Sequence, residues 1–264
     1  MDKREAVLGH LKEVEREHRV RVLLAVESGS RAWGFESENS DWDVRIVYVH
    51  RPEWYLSVER RRDVIEKMYD DGVDLSGWDL KKALSLFRQS NPSFLEWIHS
   101  PIVYLADDGF VRRIREVEAG YFNPVRMMYH YNHIYLTHEG RYLQRDKCKM
   151  KVFFYYLRGV LGCMWIDRNG TLPPVAFREL VEATVEDAGL RDKIDKLIQM
   201  KKSGKECDMH MVDSALIDYV QRWAEHYNGR VGTFRPEMIQ APAEALDAIL
   251  YDVVAEQFKQ HPYD

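Results

Sequence analysis

The stretch from Glu27 to Tyr48 constrains this chain more than any other. An apolar, β-branched run from Val20 to Val26 predicts a buried strand, and Gly29-Ser30 ends it abruptly. Gly29 lets the backbone approach a ligand closely and Ser30 adds a hydroxyl. A helix expected from Arg31 or Ala32 would turn its first N–H groups toward the same place. That corner suits an anion, above all a phosphate.

A second strand is expected from Trp42 to Val49. Alternate strand residues share a face, so Asp41 and Asp43 project together while Trp42, Val44, Ile46 and Tyr48 point into a core. Two adjacent carboxylates repel unless a cation holds them. A hard divalent ion such as Mg²⁺ takes one or two carboxylates together with substrate phosphates. The plain alternative is a polar edge strand with two solvated aspartates. A two-metal site needs a further carboxylate, and Asp74, flanked by Val73 and Leu75, is preferred to Asp79, which a helix N-cap role explains without chemistry.

These residues resemble the DNA polymerase β superfamily of nucleotidyltransferases, and more narrowly the RlaP or YcgL-like family associated with RNA repair. The resemblance rests on Gly-Ser-Arg-Ala-Trp-Gly-Phe at 29–35, Ser-Asp-Trp-Asp-Val-Arg at 40–45 and Gly-Trp-Asp-Leu-Lys-Lys-Ala-Leu at 77–84. Asn-Pro-Ser-Phe-Leu-Glu-Trp-Ile at 91–98, Ser-Pro-Ile-Val-Tyr at 100–104 and Tyr129-His130-Tyr131 follow in order. It implies an α+β fold: a polymerase-β-like mixed sheet with flanking helices over residues 1–110, and a helical domain over 111–264 that completes the cleft. It also implies two Mg²⁺ (or Mn²⁺) ions held by Asp41, Asp43 and Asp74, a nucleoside triphosphate as donor, and pyrophosphate as leaving group. Gly29 and Ser30 would hold the triphosphate tail, with Arg31 and Arg45 as further phosphate or supporting residues.

Composition narrows the partners. Against 38 Lys and Arg stand 43 Asp and Glu, a formal net charge of -5, so nucleic-acid contact must be local rather than spread over the chain. Cys148, Cys163 and Cys207 are few, scattered and odd in number, which argues against a disulfide framework and for a reducing cytoplasm. The charged N-terminus has no apolar signal core, and no run is apolar for long enough to span a bilayer.

The rest reads mainly as helix. Residues 2–18 place Val7, Leu11 and Val14 on one face, suited to covering a sheet. Asp79, Asn91-Pro92 and Asn123-Pro124 carry helix-start signals. The run Arg60-Arg61-Arg62 reads as a solvated edge rather than a phosphate-contacting surface. From about Lys147 to Ile166 one helix buries Met150, Phe153, Leu157 and Leu161, while Lys147, Lys151, Tyr155 and Arg158 recur on another face. Two lysines, a tyrosine hydroxyl and an arginine on one face suit a triphosphate, and spacing alone does not separate that reading from a solvated basic face. The family resemblance assigns Lys151, Tyr155 and Arg158 to the triphosphate, although the chain has Gly159-Val160 where the family pattern has Pro-Leu. His130, His133 and His138 read as packed or hydrogen-bonded histidines, with His130 a possible substrate contact, and Cys207, Asp208 and His210 lack a fourth metal ligand. Residues 177–185, 187–200, 211–227 and 243–257 are expected as further helices, the last closing the bundle.

The expected acceptor is an RNA end. A protein or small-molecule acceptor is the first alternative, and a non-catalytic nucleotide-binding module the second. Three crowded carboxylates argue against a mere binding module, which has no use for their mutual repulsion.

Overall fold

The apolar run after Arg19 forms β1 (Val20–Glu27) in the computed structural model, which describes residues 2–38, 40–142, 150–203, 212–231, 233 and 242–260. Before it lies α1 (Lys3–His18), capped by the Asp2 side chain and ended by Arg19 in the left-handed conformation. There follow α2 (Gly29–Trp33), β2 (Trp42–His50), α3 (Pro52–Tyr55), β3 (Val64–Met68), β4 (Val73–Asp79), α4 (Leu80–Arg88), α5 (Pro92–Ile98), β5 (Val103–Ala106) and α6 (Asp108–Val117). The remainder is helical: α7 (Pro124–Tyr142), α8 (Met150–Asn169), α9 (Phe177–Thr184), α10 (Ala188–Lys202), α11 (Ser214–Val231) and α12 (Glu244–Gln260). Lys147, Cys148 and the Cys207, Asp208, His210 group lie outside the described residues.

The strands form a mixed sheet in the order β3-β4-β2-β1-β5. The β2–β4 pair is parallel, and its neighbours are antiparallel. A parallel pair needs a crossover connection, supplied here by α3 and β3. On one face of the sheet Val44, Ile46, Tyr48, Val73 and Leu75 pack with Val7, Leu11 and Val14 of α1, as the alternation in the sequence requires. Each fully buried Val, Leu or Ile contributes roughly 1.5–3 kcal/mol relative to an exposed one, so this face fixes the register of the central strands. On the other face of β2, Asp43 and Arg45 at its start are only partly buried, whereas Val47 and Val49 further along are buried.

The described residues fall into two compact units, one within 1–32, 41–121 and 240–264 and the other within 33–40 and 122–239. The first unit holds the sheet. Its α12, expected from the sequence to close the helical bundle, packs instead on α3, α4 and α6. Arg113 of α6 pairs there with Glu256 of α12 at 2.7 Å. An amphipathic stripe states that a face is buried and does not state what covers it.

The second unit is built on the pairing of α7 with α8. A Cβ at Gly159 would lie 2.8 Å from both the Tyr131 carbonyl oxygen and the Tyr135 backbone nitrogen, so the two backbones approach over a residue without a side chain. Tyr135 ends in a polar cluster, its hydroxyl within hydrogen-bond distance of Asn132 Oδ1 at 2.6 Å and of Asn228 Oδ1 at 2.7 Å, to one of which it donates. Phe35 stacks on Phe154 at 4.8 Å and meets Phe177 edge-on at 5.3 Å.

Candidate nucleotidyl-transfer site

The site begins where β1 stops. Glu27, the one charged residue at the end of an apolar strand, is fully buried. Its carboxylate accepts the Asp43 backbone N–H at 2.9 Å and the Tyr104 hydroxyl at 2.5 Å. Burial pushes the Glu27 carboxyl above its ordinary value, and the Tyr104 and Asp43 hydrogen bonds oppose that shift. The Ser28 N–H donates to the Asp43 carbonyl at 2.8 Å, tying the turn to β2.

Gly29 follows with φ +61°, in the left-handed region. A Cβ there would sit 2.3 Å from Asp43 Oδ2, so glycine is required twice over, by conformation and by the carboxylate against it. Ser30 is half-buried in the short α2. Arg31 turns to the strand start: its Nε donates to the Asp41 carbonyl at 3.1 Å and its guanidinium lies 3.8 Å from the centre of the Trp42 ring.

Parallel pairing sets Asp43 of β2 opposite Asp74 of β4. Arg45, two residues along the same face, reaches both. One nitrogen, Nη2, bonds Asp43 Oδ1 at 2.9 Å and Asp74 Oδ2 at 3.0 Å, while Nη1 donates to the Asp74 carbonyl at 2.8 Å. A single positive nitrogen thus lies within hydrogen-bond distance of both carboxylates. Two carboxylates so placed could ligate a hard divalent cation, which takes one or two carboxylates together with phosphate oxygens. Asp41 stays exposed on the turn before β2, and among the described residues no group of three acids, histidines or cysteines is assembled around one point.

Asp79 lies five positions along β4 from Asp74. It is buried and caps α4, accepting the Lys81 N–H at 2.9 Å and the Tyr55 hydroxyl at 2.6 Å.

The second unit carries the residues expected to meet the triphosphate. Lys151 is exposed and Tyr155 half-buried, with Tyr155 edge-on to Trp33 at 5.0 Å and stacked on His138 at 5.1 Å. Arg158 departs from the expected open stripe. It is 0 % exposed, 4.4 Å from the Trp33 ring centre, and donates to the Val175 carbonyl at 3.0 Å. Helical spacing puts it one turn beyond Tyr155, but Trp33 and the 175 segment cover that turn.

Lys201, which the sequence did not single out, feels the charge of Lys151. Its Nζ donates to the Phe35 carbonyl and sits 4.6 Å from the Phe35 ring centre. Burial, reinforced by the neighbouring Lys151 charge, lowers its pKa to about 8. Glu27 could have been noticed as a charge inside an apolar run. Lys201 had no such signal, because its surroundings come from distant parts of the chain, around Phe35 and around Lys151.

Fold and family match define a class, the polymerase-β-like nucleotidyltransferases with a mixed sheet, flanking helices and a helical C-terminal part. The chain belongs to the RlaP family, the RNA repair pathway DNA polymerase beta family, whose model matches residues 3–252. It is 36% identical over 256 residues to Uncharacterized protein YcgL of Bacillus subtilis (strain 168), covering 97% of this chain and 98% of that one. A nucleotidyltransferase-like protein from Exiguobacterium sibiricum 255-15 gives a looser likeness, with 12% identity and a TM-score of 0.34 over 94% of this chain and 89% of its own. No helix among the described residues is long and apolar enough to cross a membrane.

Proposed function

We propose that this protein transfers a nucleoside monophosphate from a nucleoside triphosphate to a hydroxyl at the end of an RNA. The observation that carries the proposal is the convergence of Asp43 and Asp74 on one cationic nitrogen beside the Gly29 turn. The RNA acceptor draws its support from the family's description. In the reaction the acceptor oxygen bonds to the α-phosphorus, the bond from that phosphorus to the β-phosphate bridge breaks, pyrophosphate leaves, and the hydroxyl proton passes to solvent.

Asp43 and Asp74, joined by Asp41 if a second ion binds, are the residues that would hold Mg²⁺ or Mn²⁺. Bound there, a divalent ion supplies Lewis-acid charge for the phosphates and acidifies the acceptor hydroxyl. Gly29 leaves the space that a bulkier turn would close, and Ser30 offers a hydroxyl to the triphosphate. Glu27 positions Asp43 through its backbone N–H, with Tyr104 holding the other carboxylate oxygen. Lys151 and Tyr155 remain assigned to the triphosphate, while buried Arg158 supports the helix that carries them.

The test incubates the purified protein with Mg²⁺ and each labelled nucleoside triphosphate in turn, with total RNA, lysate protein or no acceptor. Label entering RNA and lost in Asp43→Asn is the expected result. Label entering only protein replaces the acceptor, and no turnover in any mixture overturns the enzymatic reading. Lys151→Ala should weaken binding of a nucleoside triphosphate about tenfold and leave the nucleoside unaffected, since a charge-assisted contact to phosphate is what is lost. Isothermal titration with the two ligands checks it, and equal losses would remove Lys151 from the phosphate site.

A further inference from the structure

A cavity of about 510 Å³ in the first unit lies away from the aspartate pair, between the segment after α3 and the first turns of α4. Asp79 contributes to its lining at the end of β4 remote from Asp74, five strand positions or roughly 17 Å along the sheet. Arg60, Arg61, Lys81 and Lys82 line it, together with the acids Glu59 and Asp63. Lys82 is paired with Asp63 at 3.0 Å, and Asp79 is engaged by Tyr55 and by the start of α4. Arg60, Arg61 and Lys81 are exposed and make no ion pair among the described residues. Trp54 adds a flat wall, its indole stacked on His50 at 4.2 Å with planes 8° apart.

Three cations that make no ion pair among the described residues, from two separate segments and beside an aromatic side chain, give this lining four basic residues against three acidic ones on a chain whose net charge is negative. We propose that this cavity binds the phosphodiester backbone of a single-stranded nucleic acid, holding the acceptor strand away from its reacting end. These cations neutralise phosphates, and Trp54 stacks against a base without selecting its sequence. A strand fits better than a lone nucleotide because the cations come from two separate segments of the lining, Arg60-Arg61 and Lys81. The proposal rests on the acceptor half of the function proposed above, and it gives the Arg60-Arg61 run a phosphate-contacting role in place of a merely solvated edge.

The test is binding of a short fluorescent single-stranded RNA, measured by anisotropy across a salt series without nucleoside triphosphate or divalent metal. The combined variant Arg60→Ala, Arg61→Ala, Lys81→Ala is compared with Lys12→Ala, Arg16→Ala, Lys196→Ala, which removes the same charge from exposed positions elsewhere. Circular dichroism confirms that both are folded. Loss of three phosphate contacts should lower the slope of log K against log salt by about 2 in the cavity variant, with weaker binding at low salt. The control should keep the wild-type slope. An unchanged slope in the cavity variant, an equal fall in the control, or no RNA binding by the wild type overturns the proposal. Asp43-dependent turnover of nucleoside triphosphate is measured in parallel, so failure of the cavity is told apart from failure of the transfer chemistry.

Discussion

Asp43 and Asp74 face one another because parallel pairing makes them register partners, and Arg45 holds both with one nitrogen. Asp43→Asn or Asp74→Asn should reduce nucleotide turnover on the order of a hundredfold or more with the thermal midpoint nearly kept, because the lost charge serves the phosphates and their cation. Asp79→Ala should do the reverse, costing about 2 kcal/mol through a lost cap and a stranded Tyr55 hydroxyl while turnover per folded molecule survives. Turnover assays beside urea unfolding separate the two patterns. An Asp79 variant that folds and is inactive, beside an active Asp74→Asn, would reverse the assignment. Arg45→Met leaves two partly exposed carboxylates without their shared counter-charge and should cost about 1–2 kcal/mol. Mg²⁺ should then raise the melting temperature of this variant more than that of the wild type, since a cation no longer competes with the guanidinium. Equal shifts in differential scanning fluorimetry would mean that ion and guanidinium do not share a place.

Whole elements were legible wherever the signal was local. The caps expected at Asp79, Asn91 and Asn123 each accept a backbone N–H from the helix they open. The edge strand β3 was missed, since of Val64, Ile65, Glu66, Lys67 and Met68 only Ile65 is buried and the period-2 signal is faint. The stripe on α8 was read with the right period and an incomplete surface, because Trp33, far away in sequence, covers Arg158. Gly159 belongs to the same lesson. As an isolated helix position it invites alanine, worth about 1 kcal/mol in propensity. In the fold, Gly159→Ala would press a methyl onto the α7 backbone, an overpacking cost of about 1–3 kcal/mol, so a net loss of about 1 kcal/mol is expected. A higher urea midpoint in the variant would contradict the close α7–α8 contact.

Across the whole molecule, acid sensitivity should carry one clear contribution from His50. Burial, with smaller effects from His18 and Arg61, lowers its pKa from the ordinary 6.5 to about 4. Between those values the unfolded chain takes up a proton that the folded protein refuses, so stability falls as pH drops through that window. Glu27 and Asp79 act in the opposite sense, their carboxyls raised chiefly by burial, which makes the difference between variants the useful measurement. His50→Gln should lose about 1 kcal/mol less stability than the wild type between pH 7 and pH 5, read from urea midpoints at each pH. Parallel pH curves would show that His50 is protonated freely in the folded state. By itself the sequence determined the strand, the glycine turn, the Asp-x-Asp strand start and most helices, since periodicity, capping and turn chemistry act within a few residues. Tertiary structure alone decided that Asp43 pairs with Asp74, that Arg45 lies between them, that Arg158 is covered and that α12 joins the sheet-bearing unit. Those outcomes are sums of many weak contacts between residues far apart in the chain, and no single window of sequence contains them.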